Sequence, residues 1–417
     1  MTASTISNLQ EILKDLWLKA PKDVLYKNKP LMGLMPKDST FLGRSKHMVL
    51  RYSAEPGGSA TFATAKANKG PSSYKEFEIT RGRDYALGSL STELYRAAKG
   101  GEVGAVVDAM DSIMKGLQNT QSRSLCLSQY RNGGGARGQI SAAGAAATTI
   151  TLLDPNDSVN FEVGMKLDGS AADGTSGAAT AGGAAAKIVL INRDTGVLTN
   201  DASANWNAAT GINSAAASWY LFRAGDFGAT LKGLDAWIPA TVSATSFFGI
   251  DRTADTERLA GCRCTPTDTN NTYSTIEGAC LALLRRVYMA GGSPDHIFMH
   301  PNRFKRLVDE LQSRRQYVEA NATDAKTGYR ALLIEGQGGA AKVLSDPNCQ
   351  VDVIWGLTLD TWKMSTLGEP MSVLDDDNNA PWLRESDDDA LELRMATYGQ
   401  FYCDAPAWNG RASVSGI

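Results

Sequence analysis

Apolar residues recur at helical spacing over a long stretch in the first third of the chain. One face of residues 102–131 carries a regular apolar stripe, and charged and amide side chains take the opposite face. The stripe consists of Val103, Val106, Val107, Met110, Ile113, Met114 and Leu117. This pattern predicts an amphipathic helix, a rod about 45 Å long, which the glycines of "NGGGARG" at 132–138 end.

Two shorter helices enclose a short apolar segment near residue 297. The first covers "STIEGACLALLRRVY", where Ser274 and Glu277 form a capping-box pattern. The second begins at Pro301, and its apolar residues again recur at helical spacing. Only "DHIFMH" lies between them. Because this segment is too short for a helix, it predicts a buried strand.

Two of the chain's three histidines, His296 and His300, bracket this predicted strand. On a helix, residues four apart could share a metal ion. In a strand the same spacing covers about 13 Å, which is too far for one ion to bridge. We therefore expect one histidine at each end of a core strand and no metal site.

Residues 44–88 contain two runs typical of strands, "HMVLRY" and "YKEFEITRGRDYAL". In the second run Phe77 and Ile79 lie on one face, and Glu76 and Glu78 lie on the other. This pattern predicts a long β-hairpin. Because two strands alone are not stable in water, the hairpin must lie on its own chain or on a neighbour.

The first 43 residues predict an arm with little core of its own. A short amphipathic helix within residues 1–20 places Leu9, Leu13 and Trp17 on one side. The following "KNKPLMGLMPKDSTFLG" is interrupted by proline and glycine, so we expect an extended, irregular path.

Residues 139–228 shift in composition toward alanine, glycine, serine and threonine. Four strand-like pieces are embedded there: "TITLL", "FEVGMKL", "KIVLINRDTGVLTN" and "SWYLFRA". The third is a predicted hairpin with its turn near Asp194-Thr195-Gly196. This region is therefore predicted to be a small β-domain inserted into a chain that mixes helices and strands.

Composition and charge narrow the class of protein. The 417 residues contain no apolar run long enough to cross a bilayer and no secretory signal pattern, so we expect a protein of the host cytosol. The net charge of −3 is unevenly divided, with 19 basic against 12 acidic residues in 1–135 and 4 against 13 in 345–417. This division is typical either of solvated surface or of attraction between the basic and acidic ends, within one chain or between neighbouring copies.

Motifs that carry catalysis are absent or incomplete. The chain has no GxSxG, Walker A or HExxH sequence, and its six cysteines lack zinc-ligand spacing. "GQGGAA" at 336–341 matches a dinucleotide fingerprint, but Asp346-Pro347 leaves no room for the helix that must follow. The acidic stretch from Asp375 departs from a calcium loop at Ala380 and Ser386. We expect no enzyme and no cofactor.

The order of these elements resembles the major capsid protein of tailed double-stranded-DNA bacteriophages, the Hong Kong 97-type fold. The resemblance also covers "GGSPDHIFMHPNRFKRLVDEL", "GQGGAAKVLSDPNC" and the closing strand "RMATYGQFYCDAPAWNG". It implies an α+β fold with an inserted small β-domain. The implied parts are the N-arm (1–43), the E-loop hairpin (44–88), the peripheral domain with its spine helix (89–138), the inserted β-domain (139–228), and the axial domain with the remainder of the peripheral domain (229–417).

Members of this family self-assemble into hexamers and pentamers of an icosahedral shell around double-stranded DNA. The E-loop lies over an adjacent subunit, and the N-arm reaches beneath others. The resemblance thus implies a virion protein, assembled in the host cytoplasm, that encloses DNA without sequence-specific binding and without a membrane. A portal protein, a separate scaffolding protein and, as in some members, a decoration protein are the implied partners.

The same resemblance indicates where subunits should touch. We expect inter-subunit contacts on the arm, at the hairpin tip and on the returning strand. The residues concerned are Leu9, Leu13, Trp17, Lys66, Asn68, Lys69, Phe77 and Ile79. Some relatives cross-link lysine to asparagine covalently, but for the tip residues we expect solvated charge.

Two other interpretations stay open at this point. A β-rich surface-layer or adhesin-type protein would explain the Ala/Gly/Thr-rich strands, but it should carry a secretion signal. A hydrolase would need a pocket that converges on His296 or His300. Rings or shells in negative-stain images would favour a capsid protein, whereas a small closed oligomer would favour an enzyme.

Overall fold

The computed structural model describes most of the chain and divides it into two compact units. The described residues are 29–93, 109–146, 148–183, 186–200, 205–208, 212, 217–269, 271–311, 332–374, 382–385 and 388–417. One unit lies within 85–123 and 371–396, and the other within 28–84, 124–370 and 397–417. The predicted helix at 1–20 and most of the acidic stretch lie outside the described residues.

The described residues form an α+β fold in which strands outnumber helices, and runs of strands follow one another without an α-helix between them. The helices are α1 (Pro30–Leu34), α2 (Phe62–Ala67), α3 (Ala109–Tyr130), α4 (Leu234–Trp237), α5 (Ile276–Met289) and α6 (Pro301–Glu310). The strands are β1 (Lys37–Asp38), β2 (Ser45–Ser53), β3 (Ser73–Thr80), β4 (Gly82–Ser91), β5 (Ala136–Ala146), β6 (Thr149–Leu152), β7 (Leu167–Ser170), β8 (Ile188–Asn192), β9 (Val197–Asn200), β10 (Tyr220–Arg223), β11 (Cys262–Cys264), β12 (His296–Met299), β13 (Leu332–Gly336), β14 (Gly339–Ser345), β15 (Val353–Leu357), β16 (Trp362–Thr366), β17 (Ser372–Val373), β18 (Trp382–Arg384), β19 (Ala390–Cys403) and β20 (Gly410–Ser413).

The larger unit contains a mixed sheet in the order β11-β20-β15-β12-β14-β13. The apolar side of α5 packs on this sheet, where Ile276, Cys280 and Leu283 are fully buried. The cap of α5 differs from the prediction, since Thr275 rather than Ser274 is the N-cap and accepts from the backbone of Gly278. The carboxylate of Glu310, at the end of α6, accepts from two more amides of this helix end.

The two histidines lie as predicted, one at each end of strand β12. His296 begins the strand, and His300 is the N-cap of α6, where its Nδ1 accepts from the backbone N–H of Asn302 at 3.2 Å. Burial lowers the pKa of His300 to about 4, because the charged imidazolium is poorly solvated there. His300 is therefore a neutral helix cap near pH 7.

The end of the predicted arm is anchored on its own chain. Leu31, Met35 and Phe41 are almost fully buried, and β1 pairs in parallel with β16. The buried carboxylate of Asp346 accepts from Tyr130 Oη, at the end of α3, at 3.0 Å. Burial raises the pKa of Asp346. Its hydrogen bonds offset part of the cost of burying this carboxyl group.

In the smaller unit, strand β19 supplies the backbone partner for shorter strands. β17 and β18 pair antiparallel with its first half, and β4 also pairs with β19. Gly88 of β4 lies against Ile113 and Leu117, two residues of the predicted apolar stripe on α3. The helix ends at Tyr130, one residue before the predicted end, and its predicted start lies outside the described residues.

The inserted region forms a closed antiparallel barrel. Its strands follow the order β7-β10-β5-β6-β9-β8, and the two outer strands are joined by bonds such as Leu167 N to Ala186 O at 2.9 Å and Ile188 N to Met165 O at 3.0 Å. The barrel has its own core, which includes Ile140, Ile150, Phe161, Leu167, Ile188, Leu198, Trp206 and Leu221. Closure removes most of the free strand edges that an open sheet would expose.

One predicted strand of this region is wrong. "FEVGMKL" was expected to be extended, but strand β7 begins only at its last residue, Leu167. The residues before it form a turn, in which Met165 N donates to Glu162 O and Gly164 has φ +90°. The hairpin of β8 and β9, by contrast, has the predicted turn, with Gly196 at φ +68°.

Buried ion pairs tie the barrel to the strand that follows the hairpin. Arg223 of β10 donates to both carboxylate oxygens of Asp226 and to Asp84 of β4, each at 2.9 Å. Arg137 of β5 reaches the same Asp226 at 3.3 Å. Burial raises the pKa of Asp84, and Arg223 offsets part of that effect. Arg223 is thus the cation that makes two buried carboxylates acceptable.

The substitution Arg223→Met tests this role. Removing one partner leaves buried charge uncompensated, so the free energy of unfolding is expected to fall by about 3–5 kcal/mol. Urea denaturation of the unassembled protein measures it. The matched control Lys305→Met breaks an exposed pair with Asp309 and should cost less than about 1 kcal/mol. Equal losses in both variants would contradict the assignment.

His300 should make stability depend on pH. Between its ordinary pKa of 6.5 and its folded value of about 4, the unfolded chain binds a proton that the folded chain refuses. The free energy of unfolding therefore falls as pH drops through this window. His300→Asn keeps a capping side chain and should reduce the loss between pH 7 and pH 4.5 by about 2–3 kcal/mol. Identical urea-derived pH profiles for the variant and the parent would count against it.

Candidate inter-subunit surface

The hairpin of β2 and β3 has two faces that differ in what they contact. The strands pair antiparallel from Ser45 opposite Thr80 to Ser53 opposite Ser73. Side chains alternate, so directly opposite residues share a face. The inner face consists of Lys46, Met48, Leu50, Lys75, Phe77 and Ile79. The outer face consists of His47, Val49, Arg51, Tyr74, Glu76 and Glu78.

The inner face is anchored at its base in an aromatic cluster of the same chain. Phe77 is fully buried, with its ring centroid 5.3 Å from that of Trp237 and 6.4 Å from that of Phe247. Trp237 is held in turn by a hydrogen bond from its Nε1 to Phe401 O at 3.0 Å. The base of the hairpin is therefore part of the core.

A tight turn at residues 247–250 shapes the socket for this base. Phe248 and Gly249 have φ values of +48° and +87°, and Phe247 and Ile250 exchange both backbone hydrogen bonds. Two consecutive positive φ angles are typical of a type I′ turn, and phenylalanine is an unusual residue there. The carbonyl of Phe248 accepts from Glu78 N at 2.9 Å, so the turn is bonded directly to β3.

Two cations stack on the rings of this turn. The guanidinium of Arg252 lies 3.9 Å from the Phe247 centroid and donates to two carbonyls at the end of α4, Ala236 O and Trp237 O. Burial lowers the pKa of Arg252 to about 10. Lys232 Nζ lies 4.4 Å from the Phe248 centroid, and burial together with Arg252 lowers its pKa. Both cations therefore hold the turn through contacts with its two rings, and Arg252 also links the turn to the carbonyls of α4.

Polar bonds hold the two ends of β2. Near its start, Lys46 Nζ donates to Asp38 Oδ2 at 2.7 Å and to Tyr402 Oη at 2.9 Å. The hydrogen bonds from Lys46 and Thr40 hold the pKa of Asp38 well below its ordinary range. Near its other end, Arg258 donates to the carbonyl of Tyr52. These bonds set the direction in which the hairpin leaves the body.

Beyond its base no side chain of the hairpin is buried. All of residues 47–76 are described, and none of them is buried. On the outer face Val49 is 61% and Tyr74 is 56% exposed, and Phe62 of α2, in the segment joining the strands, is 85% exposed. An uncovered two-stranded ribbon with large apolar side chains is typical of a surface that another molecule covers.

The structure assigns the predicted contact residues to different places. Phe77 and Ile79 are fully buried in their own chain, so they anchor the hairpin and offer no surface to another subunit. Alternation separated the two faces correctly but could not tell which face the body covers. Lys66, Asn68 and Lys69 are exposed at the tip. Leu9, Leu13 and Trp17 lie outside the described residues.

Val49, Tyr74 and Phe62 are the contact candidates that the sequence interpretation missed. These apolar residues lie among polar residues on the outer face and in the connecting segment. That pattern could have indicated a contact surface from the sequence. β4 was also taken as part of the hairpin, but it pairs with β19 instead. Gly82 marks the change of partner, since it approaches Leu231 and the backbone of Gly399 closely. The paired part of the hairpin is therefore Ser45–Thr80.

The described residues hold no group of histidine, cysteine or acidic side chains suited to a metal ion. The six cysteines are free and buried, and burial raises the pKa of Cys264 to about 11 and that of Cys280 to about 12. Such thiols stay protonated near pH 7. "GQGGAA" forms the turn of the β13–β14 hairpin and not the strand-to-helix turn of a dinucleotide fingerprint. Within the described residues, none of the helices has the length and hydrophobicity needed to cross a bilayer.

The anchored hairpin of β2 and β3, the long helix α3 and the mixed sheet together define a Hong Kong 97-type capsid fold. Solved capsid structures share it across their full length. The cyanophage A-1(L) capsid asymmetric unit matches with a TM-score of 0.58 and 12% identity over 99% of both chains. The capsid of a native GTA particle matches with a TM-score of 0.50 and 7% identity over 100% of both chains. At these identities the likeness shows the fold.

A sequence comparison agrees over part of the chain. A family model described as SU10 major capsid protein matches residues 209–376, which cover the end of the barrel and most of the mixed sheet. No curated protein sequence matches the chain significantly. Together the comparisons confirm the resemblance to phage major capsid proteins.

Phe77→Ala tests the anchor. Emptying a fully buried aromatic position should lower the free energy of unfolding by about 3–5 kcal/mol, because the removed contacts leave a cavity beside Trp237. Thermal and urea unfolding of the unassembled protein measure the change. Phe62→Ala removes the same ring from an exposed position and should stay within about 0.5 kcal/mol. Comparable losses would show that Phe77 is not an anchor.

Proposed function

We propose that this chain is the major capsid protein of a phage and self-assembles into the hexamers and pentamers of an icosahedral head. The observation that carries the proposal is the hairpin Ser45–Thr80. Its base is locked in the core, while its outer face and its tip present Val49, Tyr74 and Phe62 to solvent. A surface of this kind finds its packing partner on a neighbouring copy.

The proposed domain assignment follows from the same placement. Residues 44–88 act as the E-loop, residues 1–43 as the N-arm, and α3 as the spine helix. The barrel at 139–228 is an inserted module of its own, and residues 229–417 build the axial domain and complete the peripheral domain. Support comes from the anchored end of the arm at Leu31 and from the closed sheet of the barrel.

In the proposed virion, the shell encloses double-stranded DNA without reading its sequence. The net charge of −3 supports this role, because a wall that gripped DNA would need a strongly basic surface. Assembly takes place in the host cytoplasm. A portal protein and a separate scaffolding protein are proposed partners, with a decoration protein as a further candidate for the outside of the shell.

Electron microscopy of the expressed protein tests the proposal. The parent chain should form rings or shells in negative stain, with a sedimentation coefficient far above that of a small oligomer. Val49→Asp with Tyr74→Ser should leave small species only, since charged and small polar groups replace the apolar part of the outer face.

A conservative pair provides the control. Val49→Ile with Tyr74→Phe keeps the apolar surface and should assemble like the parent. Circular dichroism and urea midpoints should show that both double variants fold, because the altered side chains are more than half exposed. A parent chain that stays a small closed oligomer at high concentration would refute the capsid proposal.

A further inference from the structure

A basic and apolar patch lies where the barrel closes. We name it the seam patch, and it consists of Val163, Lys166, Lys187, Val189 and Leu190, all of which are exposed. Lys166 and Lys187, which directly precede β7 and β8, lie opposite each other in an antiparallel bridge. The patch therefore combines two directly paired lysines with three branched aliphatic side chains.

The aliphatic part of the patch arises from a β-bulge. The pairing of β8 with β9 shifts register between Ile188 and Leu190. A bulge breaks the alternation of side chains, and both Val189 and Leu190 are consequently exposed, at 52% and 57%. Val163 is 64% exposed on the neighbouring segment. Bulges re-aim side chains, and here two apolar ones point to solvent.

The paired lysines lack a compensating carboxylate among the residues that the structure describes. Like charges directly opposite each other on adjacent strands are unfavourable. Neither Lys166 nor Lys187 forms an ion pair in the part of the chain that the structure describes. A partner that brings carboxylates to this position would turn an unfavourable pair into a favourable contact.

The outer face of the hairpin has the complementary composition. Glu76 and Glu78 lie two residues apart on one strand, with Val49 opposite Glu76 and Tyr74 at the next position toward the tip. Glu76 pairs with His47, and the His47 Nδ1 to Glu76 Oε1 distance is 2.7 Å. Both side chains are more than half exposed. Glu78 has no cationic partner among the described residues.

The spacings of the two surfaces also match. Residues two apart on a strand are separated by about 7 Å, and directly opposite residues have Cβ atoms about 5 Å apart. The flexible stems of two lysines can span this difference. Each surface then places its apolar residues beside its charged pair, so acidic meets basic and apolar meets apolar.

We propose that the outer face of the hairpin of one copy docks on the seam patch of a second copy. The proposal deepens the proposed function, on which it rests, by naming the surface that receives the hairpin. Glu76 and Glu78 lie against Lys166 and Lys187, and Val49 and Tyr74 cover Val189 and Leu190. The inserted barrel thereby becomes part of the contact between subunits.

Charge reversal with rescue tests the docking. Lys166→Glu with Lys187→Glu should reduce the assembled fraction at least about tenfold at low salt, since four carboxylates then face each other. Glu76→Lys with Glu78→Lys should cause a similar loss. The chain that carries all four substitutions restores opposite charges in every contact and should assemble like the parent. Sedimentation and negative stain measure the assembled fraction.

The controls separate this inference from the proposed function. Lys305→Glu reverses another exposed lysine, on α6, and should leave assembly unchanged. If the parent forms shells but the barrel variant assembles normally, the lysines serve only the barrel and the docking is wrong. Failure of the fourfold variant to recover would equally overturn it. A parent that forms no shells at all would remove both proposals.

Discussion

The structure depends on a hairpin whose apolar side chains its own chain buries at only one end. Phe77 packs against Trp237 and Phe247 and makes the base of the hairpin part of the core. Past this base, none of residues 47–76 is buried. Two strands cannot bury enough surface to be stable by themselves. The function that we propose follows from this difference between the buried base of the hairpin and its exposed remainder.

The rest of the molecule holds the base of the hairpin in place, and the inserted barrel has a core of its own. The turn at Phe248 and Gly249 is bonded to β3 and stacked by Arg252 and Lys232. The barrel closes on itself and its own side chains fill its interior. It therefore needs no second sheet to cover its apolar face. Its ion pair between Arg223 and Asp84 then fixes it to the strand that leaves the hairpin. Each part is held locally, which leaves the outer surfaces free for contacts between copies.

Periodicity predicted the elements whose two sides differ strongly in polarity. The α3 stripe, the strand between His296 and His300, and the alternation of Phe77 and Ile79 with Glu76 and Glu78 all have this character. Such patterns follow from the helical and strand repeats alone. They indicate which residues share a face, and this was the part of the fold that single-sequence reasoning could obtain.

Long-range partners decided the remaining features. Glu310 caps α5 from more than thirty residues away, and the β4 strand pairs with β19 near the end of the chain. The closure of the barrel depends on bonds between segments 164–167 and 186–188. For the candidate surface, alternation divided the hairpin correctly, yet Phe77 and Ile79 were given the wrong role. Which face the body covers depends on Trp237, which no local pattern connects to the hairpin.

The most direct test of this account is hydrogen–deuterium exchange of the hairpin before and after assembly. Amides of Phe77–Thr80 should exchange slowly in both states, because their cover comes from the same chain. Amides within residues 47–76 should exchange fast in the unassembled protein and become protected only in shells. Equal protection of residues 47–76 in both states would contradict the claim that other copies supply the missing cover.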